Sequence, residues 1–98
     1  MANELAIPPG ALTDKQSQEL VRAWAAHGGL QCSLNPGAWP KDVAAVGWGI
    51  LLSDIARHVA DALQQINQMD KGGTLAQIRS VFNKEIDKPT ADASGKFV

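Results

Sequence analysis

The sequence predicts an α+β domain of two layers. An antiparallel β-hairpin packs on a long helix and a shorter antiparallel helix, with room for a short third strand at the N-terminus. Three observations carry that reading. From Trp48 to Met69, the residues Trp48, Leu52, Ile55, Val59, Ala62, Ile66 and Met69 recur in steps of four and three, which keeps them on one side of an α-helix. Leu30-Gln31-Cys32-Ser33-Leu34 alternates apolar and polar between Gly29 and Asn35-Pro36-Gly37, the pattern of a half-buried strand. Leu75, Ile78, Phe82 and Ile86 repeat at helical spacing after a short polar connection, so a second helix folds back on the first.

The elements follow in order. Pro8, Pro9 and Gly10 forbid regular structure in residues 1–12, although Glu4 to Ile7 suits a short edge strand. For the next stretch two readings compete. Thr13-Asp14-Lys15-Gln16 fits a capping box, and Leu20, Val21, Trp24 and Ala25 follow at helical spacing, so residues 14–27 read locally as an amphipathic helix. The strand at Leu30–Leu34, however, needs a partner for its backbone donors and acceptors. Leu20 to Ala26 can supply it through His27-Gly28-Gly29, a connection whose glycines suit a hairpin turn. Pairing sets Leu20, Arg22 and Trp24 on one face and Val21, Ala23 and Ala25 on the other. The hairpin is the favoured reading, with the helix kept as the alternative.

Asn35-Pro36-Gly37 reads as a turn, and Pro40 is placed to open a helix from about Lys41. That helix must pass Gly47 and Gly49, each costing about 1 kcal/mol relative to alanine in a helix interior. It therefore bends there, or the glycines admit a close neighbour. Asp70-Lys71-Gly72-Gly73 is expected to end it, and Thr74 to Gln77 to cap the second helix. Lys88-Pro89 closes that helix. The expected organisation is a loose segment 1–12, one domain over 13–88 and a flexible tail over 89–98.

Composition narrows the function classes. At 98 residues, 45% hydrophobic and 19% charged, the chain has the composition of one small globular domain. Nine basic against ten acidic side chains give no surplus for binding phosphates, so nucleic acid is not an expected partner. No uninterrupted apolar run reaches a membrane span, and MANELAIPPG lacks the pattern of a signal peptide. The single cysteine, Cys32, excludes an intrachain disulfide, and a cytoplasmic setting is expected. The apolar stripe of the long helix is too wide for one neighbour to cover, which makes a homo-oligomer the expected state.

Gly28-Gly29-Leu30, then Trp39, then Trp48-Gly49, Leu51-Leu52, Asp54 and Ala56-Arg57-His58 together resemble a family of small bacterial proteins classed only as a domain of unknown function. The resemblance covers most of residues 18–62, and its most specific part is the Trp-Gly-x-Leu-Leu-x-Asp-x-x-Arg-His run. It implies a compact α+β domain with an antiparallel hairpin against helices. It implies no activity, substrate or cofactor.

Among residues able to carry chemistry, Asp54, Arg57, His58 and Asp61 lie within two turns of one helix. Asp54 and His58 are four apart, as are Arg57 and Asp61, so each pair can touch. A carboxylate-oriented histidine with an arginine holding an anion is the sharp reading. A solvated face with ordinary ion pairs is the plain one, and it is preferred. Trp24 and Trp48 are candidate walls for such a pocket, and Trp39 a candidate for a pocket or an oligomer contact. The candidate binding residues are therefore Trp24, Trp48, Asp54, Arg57 and His58. No catalytic set, metal site or cofactor is expected. His27 and Cys32 do not complete one, and neither glycine pair has the spacing of a phosphate loop.

Two functions from different classes remain. The first is a homo-oligomeric binding or interaction module without catalysis. The second is a protein or enzyme that takes a small anionic metabolite with Arg57 and His58.

Overall fold

The computed structural model describes residues 3–97; Met1, Ala2 and Val98, in the expected terminal segments, lie outside the described residues. The α+β class and the hairpin are as the sequence implies. Strand β1 (Val21–Ala26) pairs antiparallel with β2 (Gly29–Leu34), with Trp24 opposite Gln31 and Ala26 opposite Gly29. Only His27 and Gly28 lie between the paired ends. Both have positive φ, 53° and 75°, the signature of a type I′ turn, whose twist matches that of the strands. The helical reading of residues 14–27 is thereby excluded. Asp14 instead closes a local turn by accepting from the Gln16 N–H at 2.9 Å.

The third strand comes from the other end of the chain. Glu4 to Ile7 is not a strand, and Pro9–Thr13 forms a single helical turn, α1. Strand β3 (Ser94–Phe97), in the segment expected as a tail, adds in parallel to β2 and gives the order β1-β2-β3. Gly95 makes this approach possible: its φ is 144°, and a Cβ there would fall on the Cys32 carbonyl.

A 3-10 turn at Lys41–Val43 leads into α2 (Ala44–Asn67), which runs unbroken through both glycines. Gly47 is accounted for by Trp39, whose indole lies where a Cβ would be. The same ring meets Trp48 edge-on, with centroids 5.5 Å apart at 74°. Trp39 thus pins the segment after β2 to the first turns of α2.

The end of α2 differs from expectation. Gln68, in the left-handed region at φ 55°, caps it, while Gly72 and Gly73 belong to the first turn of α3 (Lys71–Asp87). Asp70 is the N-cap of α3 and accepts from the Gly73 N–H at 2.7 Å. Thr74, expected as a cap, is instead a buried residue inside the helix.

Packing departs furthest from the expected two layers. α3 docks beside the stripe of α2 and leaves most of it bare: Leu52 is 46% exposed, Ile55 44%, Val59 41% and Ile66 74%. The sheet does not lie over the stripe, because sheet and helices share only sparse contacts within one chain. Since opposite residues share a sheet face, Val21, Ala23, Ala25, Leu30, Cys32, Leu34 and Phe97 all fall on one side. That side is wholly apolar apart from the thiol and is also largely uncovered. Among the described residues, Ala60 is the one fully buried apolar side chain.

Candidate functional site

Two concavities each hold one of the candidate residues, Arg57 in one and Trp24 in the other, and they lie on different elements. The first lies between α2 and α3. Near the connecting turn the helices are held together: Ala60 and Thr74 are buried, and Lys71 pairs with Asp61. That ammonium, through its hydrogen bond first, holds the Asp61 carboxyl below its ordinary value of 3.8. Further from the turn a groove of about 320 Å³ opens, walled by Leu52, Ala56, Leu75, Ile78 and Phe82, with Arg57 and Arg79 at its rim. Gly49 lies on its floor, and a Cβ there would touch nothing within 4 Å.

Arg57 pairs with Asp54, one turn back, and not with Asp61, which Lys71 has taken. Among the described residues Arg79 pairs with no carboxylate. The groove therefore offers one neutralised and one unneutralised guanidinium beside apolar walls. His58 is exposed, does not line the groove, and makes no hydrogen bond to Asp54 among the described residues. The geometry of a carboxylate-oriented base is thus not formed in this state. Trp48 packs with Trp39 on another side of α2.

The second concavity, about 690 Å³, lies between the N-terminal segment and β1 and is lined by Leu5, Ile7, Leu12, Arg22 and Trp24. Its charge is already matched. Arg22 is held by Glu19 at 3.1 Å and by Glu4, and these carboxylates, Glu19 first, raise its pKa. A guanidinium clamped by two carboxylates ties the N-terminal segment to the sheet and has little to offer a further anion.

The five candidate residues are therefore spread over three places: Trp24 at the sheet cavity, Trp48 in the tryptophan pair, and Asp54, Arg57 and His58 along α2, with only Arg57 at the groove. Sequence reasoning missed Arg79 and Arg22. Arg79 follows Ile78 on the apolar side of α3, and that adjacency was the available signal. Among the described residues no three His, Cys, Asp or Glu side chains converge as metal ligands.

The family described as "Domain of unknown function (DUF5076)" matches residues 4–90, nearly the whole chain. The chain belongs to this family. Its members share with this domain the region from the N-terminal segment to the end of α3. A solved structure from the photosynthetic bacterium Rhodopseudomonas palustrus CGA009, provisionally named as a pyruvate dehydrogenase, is similar at 28% sequence identity and a TM-score of 0.70. The similarity covers 95% of this chain and 92% of that one. No curated protein matches the chain.

Proposed function

We propose that this DUF5076 domain is a homo-oligomeric interaction module without catalysis of its own. The carrying observation is the surface that one chain leaves uncovered. A folded monomer of 10.4 kDa should expose about 5,400 Å². This chain exposes 8306 Å², an excess of roughly 2,900 Å² over that expectation. The radius of gyration agrees, at 15.1 Å against about 12.6 Å for a compact chain of this length. Removing half of that excess on each of two copies would bury roughly 2,900 Å² in all, within the range of obligate interfaces. The lone free thiol, Cys32, supports a cytoplasmic setting. Light scattering on the full chain tests the reading: an oligomer at micromolar concentration is the expected result, and a stable folded monomer overturns it.

A second reading rests on the groove between α2 and α3. Two arginines at the rim of an apolar cleft suit a small carboxylate, and pyruvate, which figures in the neighbour's name, is one. This chain has no Gly-x-Gly-x-x-Gly loop to hold a dinucleotide, so the reading is of binding and not of hydride transfer. A thermal-shift series with pyruvate and longer carboxylates should raise the melting temperature, and Arg57→Ala or Arg79→Ala should remove the effect. A flat response across the series defeats it.

A further inference from the structure

We infer that two copies exchange their layers: the apolar face of the β1–β2–β3 sheet of one copy lies over the α2 stripe of the other, and the reverse. This rests on the self-association reading above and specifies its interface. Among the described residues two apolar surfaces of one chain are left largely uncovered, with Val21, Cys32 and Leu34 of the sheet half-buried and Ala23, Ala25, Leu30 and Phe97 exposed. One is the stripe through Leu52, Ile55, Val59 and Ile66, and the other is the sheet face through Val21, Ala23, Ala25, Leu30, Cys32, Leu34 and Phe97.

Their dimensions agree. Leu52 to Ile66 spans about 21 Å of helix, and a strand of the length of β1 or β2 spans about 20 Å. Three strands at about 4.8 Å spacing make a face about as wide as one helix. The sheet face is uncharged and the stripe is uncharged, while Asp54, Arg57 and Asp61 lie outside the contact.

Within one chain each sheet stands away from its own helix. Residues 35–43 are pinned at Trp39, whose ring rests on Gly47 and Trp48, so β2 leaves the start of α2 in a fixed direction. A second copy is then the available cover. A two-fold axis uses the same sheet-on-helix contact twice and closes the assembly. Stripe packed on stripe would leave both sheet faces in water.

The native chain carries its own probe, since Cys32 is its single cysteine and lies on the sheet face. Ile55→Cys and Val59→Cys, one turn apart on the stripe, are each made with Cys32 present and with Cys32→Ser, then oxidised with copper phenanthroline. Disulfide formation needs Cα atoms within about 7 Å. The expected result is a covalent dimer on non-reducing gels for at least one stripe cysteine with Cys32. At least tenfold less is expected with Cys32→Ser, and no dimer for the parent.

Stripe cysteines that link equally well without Cys32 put helix on helix and overturn the inference. So does an intrachain disulfide, seen as a faster monomer band, which would put each sheet on its own helix. No cross-link from either position, with light scattering still giving a dimer, overturns the exchange and leaves self-association standing. A monomer by light scattering overturns both readings, and one that also floats with phosphatidylglycerol vesicles identifies a lipid surface as the cover.

Discussion

Gly47 is the position where a single atom has the clearest consequence. Alanine there gains about 1 kcal/mol in helix propensity, but its Cβ would occupy the Trp39 indole. Overpacking of this kind costs roughly 1–3 kcal/mol. Gly47→Ala should therefore lower stability in the parent, yet raise it by up to about 1 kcal/mol in a Trp39→Ala background. A double-mutant cycle by denaturant unfolding reads the reversal, and additive effects would refute the account.

Asp61 gives the residue-scale pH dependence. Its folded-state pKa lies below the ordinary 3.8, so its stabilising effect is present above that value and is lost as pH falls through the folded pKa. In Lys71→Ala the Asp61 carboxyl should titrate higher, towards the ordinary value, in a carboxylate-resolved NMR titration. An unmoved titration would mean that Lys71 does not hold it. The sequence placed Asp61 beside Arg57 by four-residue spacing, but Arg57 pairs with Asp54, three residues back, and Asp61 pairs with Lys71 across the helix turn. Spacing limits which pairs can form and does not choose among them.

At the scale of elements, the two helix ends near residue 70 show where local patterns mislead. Gly72 and Gly73 look like a C-terminal cap, and Thr74 to Gln77 look like a capping box. The chain instead spends Gln68 on the left-handed cap and uses Asp70 as N-cap, so both glycines fall inside α3. Each choice has a measurable cost. Gln68→Gly should stabilise the domain by about 1 kcal/mol, because glycine adopts positive φ without penalty. Asp70→Ala should destabilise it by about 1 kcal/mol through the lost bond to the Gly73 N–H. Thermal unfolding of the two variants should therefore move in opposite directions.

The hairpin was legible because alternation in Leu30–Leu34 demanded a partner and His27-Gly28 supplied the turn. β3 was not legible. Ser94-Gly95-Lys96-Phe97 has one apolar residue and no period, and it becomes a strand only because β2 offers an open edge. The site was legible only as far as Arg57. Its partner at the groove, Arg79, comes from a helix whose placement follows from tertiary packing, on which α2 spacing is silent.

For the whole molecule, the amount of burial decides how the domain unfolds. Ordering each residue costs about 1–2 kcal/mol of chain entropy. A chain whose one fully buried apolar side chain, among the described residues, is Ala60 has little apolar burial to offset that sum. Folding and association should therefore be one event, as in obligate dimers without a stable monomer. The denaturation midpoint must then rise with protein concentration. Each tenfold increase should add about 1.4 kcal/mol to the apparent stability of the assembled state. Comparing unfolding at roughly 1 and 100 μM reads this directly. Ile55→Asp, which sets a carboxylate in the middle of the bare stripe, should give an unfolded chain by circular dichroism. Were it instead a helical monomer with a midpoint independent of concentration, one chain would hold its fold without a partner, and the exposed stripe would need another cause.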